Sequence, residues 1–371
     1  MPNVPPLRFP EFSGEWEKQG FADNLLRLEN GVNYDTNETE GLPLSRIETI
    51  STCSINYEKV GYCNSKNIDH YKMEYGDILF SHINSMSHIG KTAYYYAERP
   101  LYHGMNLLLF RCNSRLNSLF FYHLLNTPRF LRTCQVYAKQ AVNQASISTS
   151  DIKKIQIHIP NIHEQNKIAT FISLIDQRIE TQIRVIDKLE SLIKGIRATV
   201  FNNVQPNTKL GEIADIYQPQ TIASTECNRG QYLVFGANGV IGRYEQYNHE
   251  QPQICITCRG NTCGTVNFSE PFSWITGNAM VINIDNNKEV NKRYLFHYLS
   301  TQNFHHIISG SGQPQIVRSP LLKFPIYLPS MQTQVKLAEM LDLLRCRLKT
   351  EQDILEKYQQ QKAYLLQNMF I

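Results

Sequence analysis

The chain repeats part of itself at a shift of 169 residues, and this repeat constrains the fold more than any other feature of the sequence. Residues 160–202 align without a gap on residues 329–371, and nine of the 43 positions are identical. Gln165 returns as Gln334, and most of the apolar positions are shared between the copies. The chain therefore has two similar halves, and each half ends in the repeated segment.

The repeated segment has the periodicity of a long helix. Ten apolar residues from Ile168 to Val200 are separated by gaps of three or four, which gives a period of 3.56 residues, between the values for a coiled coil and a straight helix. Neither copy contains a proline. We predict a central spacer helix at 161–203 and a C-terminal spacer helix at 330–371, which run antiparallel if their apolar seams pair. The seam and helix-start residues are Gln165, Ile168, Ile172, Ile175, Ile179, Gln334, Leu337, Leu341, Leu344 and Leu348.

The segments before the helices predict two globular α/β domains, at residues 1–160 and 204–329. Residues 121–127 match residues 295–301 at a shift of 174, near a predicted helix in each domain. Short alternating apolar runs bounded by Gly and Asn predict strands at residues 77–80, 107–110, 253–256 and 280–284. Helices are predicted near residues 117–132 and 291–304. The predicted fold class is α+β, with two globular domains separated by a pair of long antiparallel coiled-coil helices in a pseudo-twofold repeat.

Charge and cysteine content narrow the classes of function. Residues 1–77 carry 7 basic and 13 acidic side chains, whereas residues 78–163 carry 9 basic and 2 acidic ones. A basic half-domain is typical of a surface that binds a phosphate backbone, although the two halves could instead neutralise each other. Nine cysteines in a long chain without a membrane-length apolar run predict free thiols in a reducing cytoplasm.

Several motifs carry a resemblance to a known family. They are the helix start Pro160, Glu164, Gln165, Ile168 and Ala169, its second copy Pro329, Gln334, Leu337 and Ala338, and the segments 75–85, 89–91, 235–242 and 274–279. In these residues the chain resembles the specificity subunit of type I restriction–modification systems. One departure is Thr333, which stands where the first copy has Glu164.

The resemblance implies a non-catalytic subunit with two target-recognition domains, each of which reads one half of a bipartite, asymmetric DNA site. The helices would set the gap between the half-sites and dock two modification (methyltransferase) subunits, which restriction motor–nuclease subunits join. S-adenosylmethionine, ATP and Mg would then be bound by those partners and not by this chain. The sequence agrees, because it contains no Asn/Asp-Pro-Pro-aromatic segment and no Gly-x-x-x-x-Gly-Lys loop.

Candidate DNA contacts follow from side-chain chemistry, because Arg, Lys, Asn, Gln and Ser on loops match the donors and acceptors of base edges. The base-reading candidates are Asn84, Ser85, Lys91, Gln140, Asn143, Gln144, Asn238, Arg243, Arg259, Asn261, Gln313 and Gln315. The phosphate-binding candidates are Arg129, Arg132, Lys139, Arg293 and Arg318. Turn chemistry or a solvated loop is the competing interpretation for each.

Two alternatives remain open at this point. Cys255, Cys258 and Cys263, with His249 upstream, have a spacing that a zinc site could use, but Cys255 lies in an apolar run and no second cysteine pair follows, so we predict no metal. The chain could also be a structural coiled-coil adaptor whose end domains bind proteins.

Overall fold

The computed structural model describes residues 3–33, 38–65, 67–140, 144–202, 204–223, 226–227, 229–236, 238–310 and 312–371. The chain forms two compact units. The first unit comprises Met1–Ile183 and Ile354–Ile371, and the second comprises Arg184–Asp353. Each unit thus contains part of both long helices.

The first unit is built on a four-stranded antiparallel sheet of order β2-β8-β5-β7. Three smaller sheets, β1-β11, β3-β4 and β6-β10-β9, surround it. Its strands are β1 (Glu17–Gly20), β2 (Leu25–Asn30), β3 (Leu42–Leu44), β4 (Gly61–Cys63), β5 (Ile78–Phe80), β6 (Ile83–Asn84), β7 (Thr92–Tyr94), β8 (Leu108–Cys112), β9 (Lys139–Gln140), β10 (Ala145–Ser146) and β11 (Gln156–Ile159). Its helices are α1 (Ser118–Leu125), α2 (Pro128–Tyr137), α3 (Thr149–Lys154) and the first half of α4 (Ile162–Phe201).

The second unit repeats this plan with a four-stranded antiparallel sheet of order β13-β19-β16-β17. Its strands are β12 (Thr208–Lys209), β13 (Asp215–Tyr217), β14 (Tyr232–Gly236), β15 (Gly239–Tyr244), β16 (Ile254–Thr257), β17 (Val266–Phe268), β18 (Trp274–Ile275), β19 (Ala279–Asn283) and β20 (Pro325–Ile326). Its helices are α5 (Leu210–Ile213), α6 (Lys292–Leu299), α7 (Arg318–Leu322) and the first half of α8 (Met331–Asn368).

The two main sheets are equivalent in strand order and in register. Ile78 pairs with Tyr94 in the first unit, and Ile254 pairs with Phe268 in the second. The predicted strands at 77–80, 107–110, 253–256 and 280–284 are therefore confirmed as β5, β8, β16 and β19. The internal repeat that the sequence shows in its helices extends through both sheets.

The helix predicted near residues 117–132 is two helices in the structure. The α1 helix ends at Leu125, and α2 begins at Pro128, whose missing N–H is tolerated in a first turn. The Thr127 hydroxyl accepts a hydrogen bond from the backbone N–H of Phe130 and so caps the new helix. A proline next to a capping threonine therefore divides the segment.

Segments of the two long helices pair antiparallel within each unit. In the first unit Asp176 of α4 binds Lys362 of α8 at 2.6 Å, while Trp16 contacts both Glu164 and Phe370, so the first turns of α4 lie beside the last turns of α8. In the second unit Phe201 shares a core with Leu341 from the start of α8. The seam prediction thus matches the pairing seen inside each unit.

All ten predicted seam and helix-start residues are buried or half-buried in the structure. Ile168, Ile172, Ile175 and Leu341 are buried in the two main cores, and the remaining apolar seam residues are half-buried. Burial of one such side chain stabilises a fold by roughly 1.5–3 kcal/mol. Among the described residues, no helix is both long enough and apolar enough to cross a membrane.

Candidate nucleic-acid interface

In each main sheet one of the two inner strands, β5 or β16, leads into a loop that is closed by the same pair of backbone hydrogen bonds. In the first unit, loop A (residues 81–91) is closed by hydrogen bonds from Ser81 N–H to Lys91 C=O (2.8 Å) and from Gly90 N–H to Ser81 C=O (3.0 Å). In the second unit, loop B (residues 257–265) is closed in the same way by Thr257 and Gly264. The two loops are therefore structural equivalents.

Both closing glycines have a backbone conformation that other residues adopt only with strain. The φ angle is +84° at Gly90 and +94° at Gly264. A Cβ on Gly90 would also lie 3.1 Å from the Leu131 side chain, and one on Gly264 would lie 3.3 Å from the Phe304 Cβ. Loop A is thus packed against α2, and loop B is packed against Phe304, which precedes a short 3-10 helix at His305–Ile307.

A second segment, called the crossing, passes over each loop and brings predicted contact residues together. It comprises residues 139–140 and 144–147 in the first unit and residues 313–316 in the second. In the first unit Ile147 N–H donates to His82 C=O at 2.9 Å, and Ala145 pairs with both Asn84 and Gln140. The small sheet β6-β10-β9 therefore gathers Asn84, Ser85, Lys139, Gln140 and Gln144. Asn143 lies outside the described residues.

The second unit has the equivalent crossing at loop B. Ile316 N–H donates to Cys258 C=O at 3.0 Å, Gly260 N–H donates to Pro314 C=O at 3.0 Å, and Arg259 pairs with Gln315. The crossing therefore gathers Arg259, Asn261, Gln313 and Gln315, all of which are exposed. Two distant stretches of sequence form one surface in each unit.

Hydrogen bonding occupies several of the polar side chains of loop A. Asn84 is half-buried, its Nδ2 donates to Ser81 Oγ at 3.2 Å, and its Oδ1 accepts from Ser85 N–H at 2.8 Å. Ser85 is exposed, and its hydroxyl lies 2.8 Å from His88 Nδ1. Burial lowers the pKa of His82 to about 4, so this histidine is neutral near pH 7. The loop is therefore ordered by its own polar contacts.

Other candidates are held by contacts away from these crossings. Lys91 Nζ donates to Ser51 C=O at 2.7 Å, and Arg243 Nη1 donates to Gln231 C=O at 2.7 Å. Arg318 Nε donates to Ile216 C=O at 2.5 Å. Each of these three cations already donates to a backbone C=O, which reduces the number of N–H groups available to bind a ligand.

The remaining arginines of the phosphate set lie in two different environments. Arg293 lies 3.7 Å from the Asp342 carboxylate and 4.1 Å from the centre of the Phe268 ring. Arg129 and Arg132 are exposed and, with His158, line a cleft of 540 Å³ in the first unit. Lys139 lies 3.7 Å from Asp151, and Asn238 is exposed on the turn between β14 and β15. Arg129 and Arg132 therefore lie together at one cleft of the first unit.

The thiols that could have suggested zinc face different parts of the second unit. Cys255 packs with Phe235 and Ile275, whereas Cys258 packs in the main core. Burial raises the pKa of Cys255 to about 12, so it stays a thiol. Within the described parts of the chain, no group of three or more His, Cys, Asp or Glu residues is placed to hold a metal.

The glutamine that recurs in both copies hydrogen-bonds the start of each long helix to a short helix of the same unit, α1 in the first unit and α6 in the second. Gln165 Nε2 donates to Pro160 C=O at 2.9 Å, and its Oε1 accepts from Asn117 N–H at 2.8 Å. Gln334 makes the same two bonds to Pro329 C=O at 2.9 Å and from Asn291 N–H at 2.8 Å. Both side chains are 1% exposed, so their positions are fixed by structure within the unit.

Two exposed apolar residues on the long helices were not predicted from the sequence to contact a partner. Leu174 of α4 is 51% exposed and Leu343 of α8 is 72% exposed, and the 169-residue repeat relates them. Each faces away from the seam that the periodicity reveals. Their signal in the sequence was their identity in both copies outside the seam.

Comparison with known proteins decides the family. The family model described as "Type I restriction modification DNA specificity domain" matches residues 27–191 and again residues 204–360. The chain belongs to this family. The predicted resemblance is therefore confirmed, and so is its consequence that the chain is a specificity subunit and not an enzyme.

Relatives and solved structures agree with this family. The chain is 29% identical over 399 residues to the putative type I restriction enzyme MjaX specificity subunit of Methanocaldococcus jannaschii, covering 96% of this chain and 91% of that one. It is 23% identical over 255 residues to a putative type I specificity subunit of Mycoplasma pneumoniae, covering 62% of this chain and 65% of the other. A crystal structure of the S subunit from M. genitalium matches with a TM-score of 0.70 at 19% identity, over 99% of both chains. The predicted α+β class with two repeated domains and long helices is confirmed.

Proposed function

We propose that the specificity subunit binds double-stranded DNA and that each unit reads one half of a bipartite, asymmetric site. The observation that carries the proposal is that both units bring a loop and a crossing segment together in the same way but equip them with different side chains. Loop A and its crossing offer Ser85, Gln140 and Gln144, whereas loop B and its crossing offer Arg259 and Gln315. Equivalent surfaces with different donors and acceptors suit two different half-sites.

Base reading and phosphate binding fall to different side chains in this proposal. Arg259 is exposed at the crossing, and an arginine fork in the major groove suits the O6 and N7 acceptors of guanine. Arg129 and Arg132 line a cleft and suit phosphates, which position a protein without specifying sequence. The remaining candidates stay predictions for individual contacts.

The long helices have two roles in the proposal. Their paired segments set the length of the unread gap between the half-sites, because each helix contributes to both units. Their outer faces dock two modification subunits, and Leu174 and Leu343 are the contacts we assign to this role because they are exposed and related by the repeat. Restriction motor–nuclease subunits would join that complex.

Catalytic groups belong to the partners in this proposal. S-adenosylmethionine, ATP and Mg would be bound by the modification and restriction subunits, and this chain would hold none of them. The nine cysteines are free thiols, which supports a reducing cytoplasm as the site of assembly.

Substitution of Arg259 tests base reading by loop B. In the complex with modification subunits, we expect Arg259→Ala to relax one position of one half-site and to weaken binding by about 10- to 100-fold, because a bidentate arginine–guanine contact is worth about 1–3 kcal/mol. Selection from random duplexes measures both effects.

Arg259→Lys is the matched control for that experiment, because it keeps the charge and loses the fork. We expect it to relax the same position while it keeps the salt dependence of binding. Uniform weakening on all sequences, with no relaxed position, would contradict base reading by Arg259. Relaxation in both half-sites would contradict the assignment of one half-site to each unit.

A salt titration separates this proposal from a structural adaptor. If several phosphates are bound, the affinity of the assembled complex for DNA should fall steeply as salt rises, with a slope of about −0.9 for each phosphate neutralised. A complex that selects no preferred duplex would favour the adaptor.

A further inference from the structure

Each unit contains a cleft where the end of a long helix lies beside the residues that follow a short helix. The first cleft, of 540 Å³, lies between the end of α8 and the start of α2, and the second, of 440 Å³, lies between the end of α4 and the residues after α6. The two repeat shifts, 169 and 174, relate three pairs of lining residues. These pairs are Thr127 and Thr301, Leu366 and Arg197, and Ile371 and Asn202. The clefts are therefore structural equivalents.

The two clefts take their cations from different elements. In the first cleft they are Arg129 and Arg132 of α2, and the second unit has an asparagine and a histidine at the equivalent positions. In the second cleft the cations are Lys194 and Arg197 of α4, and the first unit has an alanine and a leucine there. Each cleft thus has two cations, although no cation in one cleft aligns with a cation in the other.

Both cations of the second cleft are available to a ligand. Lys194 is exposed, and within the described residues neither Lys194 nor Arg197 makes an ion pair. Arg197 is half-buried, its Nη2 lies 3.4 Å from His297 Nδ1, and its buried Nε has no hydrogen-bond partner. Burial and the nearby Arg345 guanidinium lower the pKa of Arg197. An anion in the cleft would therefore stabilise the charge of Arg197.

The carboxylates near the second cleft do not neutralise these cations. Glu190 lines the cleft but is exposed, and it precedes Arg197 by two turns of α4, or about 10 Å. Asp342 lies 2.9 Å from His297 Nε2, so the imidazole ring stands between this carboxylate and the Arg197 guanidinium. The part of the cleft beside Arg197 is therefore positive.

Each cleft also adjoins the loop of its unit that carries base-reading candidates. Loop A packs against Leu131 of α2, the helix that carries the two arginines of the first cleft. Loop B contributes Gly264 to a hollow that it shares with Gln302, the residue next to Thr301 of the second cleft. A phosphate contact beside a base-reading loop fixes the register of that loop on the duplex.

We propose that Lys194 and Arg197 bind a backbone phosphate of double-stranded DNA in the second cleft, as the arginines of α2 do in the first cleft under the proposed function. The inference rests on that function and adds a DNA contact to the central helix, which sets the gap. Arg293 and Arg318, the phosphate candidates that the sequence suggests in this unit, are already engaged by a carboxylate and a backbone C=O.

The salt dependence of DNA binding tests the proposal in the complex with modification subunits, on the duplex that the wild-type complex selects. The variant Lys194→Ala/Arg197→Leu carries the residue types that the first unit has at the equivalent positions, Ala363 and Leu366. We expect the slope of log affinity against log salt to fall in magnitude by about 0.9, and binding at about 0.1 M salt to weaken by about fivefold to tenfold, because one phosphate contact is lost. The selected half-sites should stay unchanged.

Two single variants sharpen the test. Glu190→Gln should strengthen DNA binding by about twofold to threefold, because it removes a carboxylate from the cleft. Lys188→Ala is the matched control, since Lys188 is exposed on the same helix but does not line the cleft, and it should leave the slope unchanged. If the double variant does not fold, Lys194→Ala and Glu190→Gln, both at exposed positions, test the proposal through changes of opposite sign.

The outcomes separate this inference from the proposed function. A wild-type complex that selects no duplex would contradict the proposed function and this inference with it. An unchanged slope in the double variant, while the wild type selects its duplex, would overturn this inference alone, and so would a relaxed position in a half-site. Weaker assembly of the double variant with modification subunits in the absence of DNA, with an unchanged slope once assembled, would overturn it in favour of an acidic segment of a partner protein.

Discussion

Replacement of Glu164 by alanine should destabilise the first unit by about 3–5 kcal/mol, because it removes the carboxylate partner of the Arg8 guanidinium, which is largely buried. Glu164 is 0% exposed and accepts two hydrogen bonds of 2.7 Å from Arg8, whose side chain is 12% exposed. The indole N–H of Trp16 donates a third bond at 3.2 Å. The substitution removes all three at once.

Denaturant unfolding followed by Trp16 fluorescence measures this loss. Trp16 and Trp274 are the two tryptophans of the chain, so a Trp274→Phe background makes the signal specific to the first unit. Thr333→Ala is the matched control, because Thr333 is the repeat equivalent of Glu164 but is exposed and bonds only the neighbouring Ser330. We expect it to cost under about 1 kcal/mol in the second unit, whose unfolding is followed by Trp274 fluorescence in a Trp16→Phe background. Similar losses of unfolding free energy for the two substitutions would show that the contacts of Glu164 with Arg8 and Trp16 contribute no more to stability than those of Thr333.

Lowering the pH from 7.5 to 5.5 should destabilise the first unit by about 4 kcal/mol. Burial lowers the pKa of His82 and His103 to about 4 and that of His123 to about 3. The Nδ1 atom of each is buried without a hydrogen-bond partner. All three side chains are therefore neutral in the folded unit throughout this range.

The direction of this change in stability follows from proton binding by the folded and unfolded states. The unfolded chain takes up a proton at each histidine near pH 6.5 while the folded unit does not, so the stability present above pH 6.5 is lost as the pH falls. Each histidine contributes about 1.3 kcal/mol to the loss at pH 5.5. His123→Leu should remove about a third of it. A free energy of unfolding that is unchanged between the two pH values would contradict the burial of these neutral imidazoles.

The long helices and main strands were predictable because their signals are periodic and local. The seam from Ile168 onward repeats every three or four residues, and Pro160 marks where the helix can begin. The division between α1 and α2 was missed because the apolar residues on both sides of Thr127 and Pro128 were assigned to one helical segment. In that segment a capping side chain outweighed the apolar pattern.

The candidate interface could be predicted only in part, because it depends on pairing between distant segments. Strands β6, β9 and β10 have two residues each, too few to leave a periodic signal, yet they bring Asn84 and Gln140 to either side of Ala145. The partner of Lys91, the backbone C=O of Ser51, lies forty residues away in sequence.

Insertion of seven residues after Thr181 and seven after Thr350 tests the proposed spacer function most directly. A heptad keeps the apolar seam in phase, adds about 10 Å of helix, and corresponds to roughly three base pairs of DNA. In the complex with modification subunits, sequence selection should return both half-sites unchanged and an unread gap longer by up to about three base pairs. Altered half-sites with an unchanged gap would contradict a subunit that reads DNA with two separate units at a distance set by its helices.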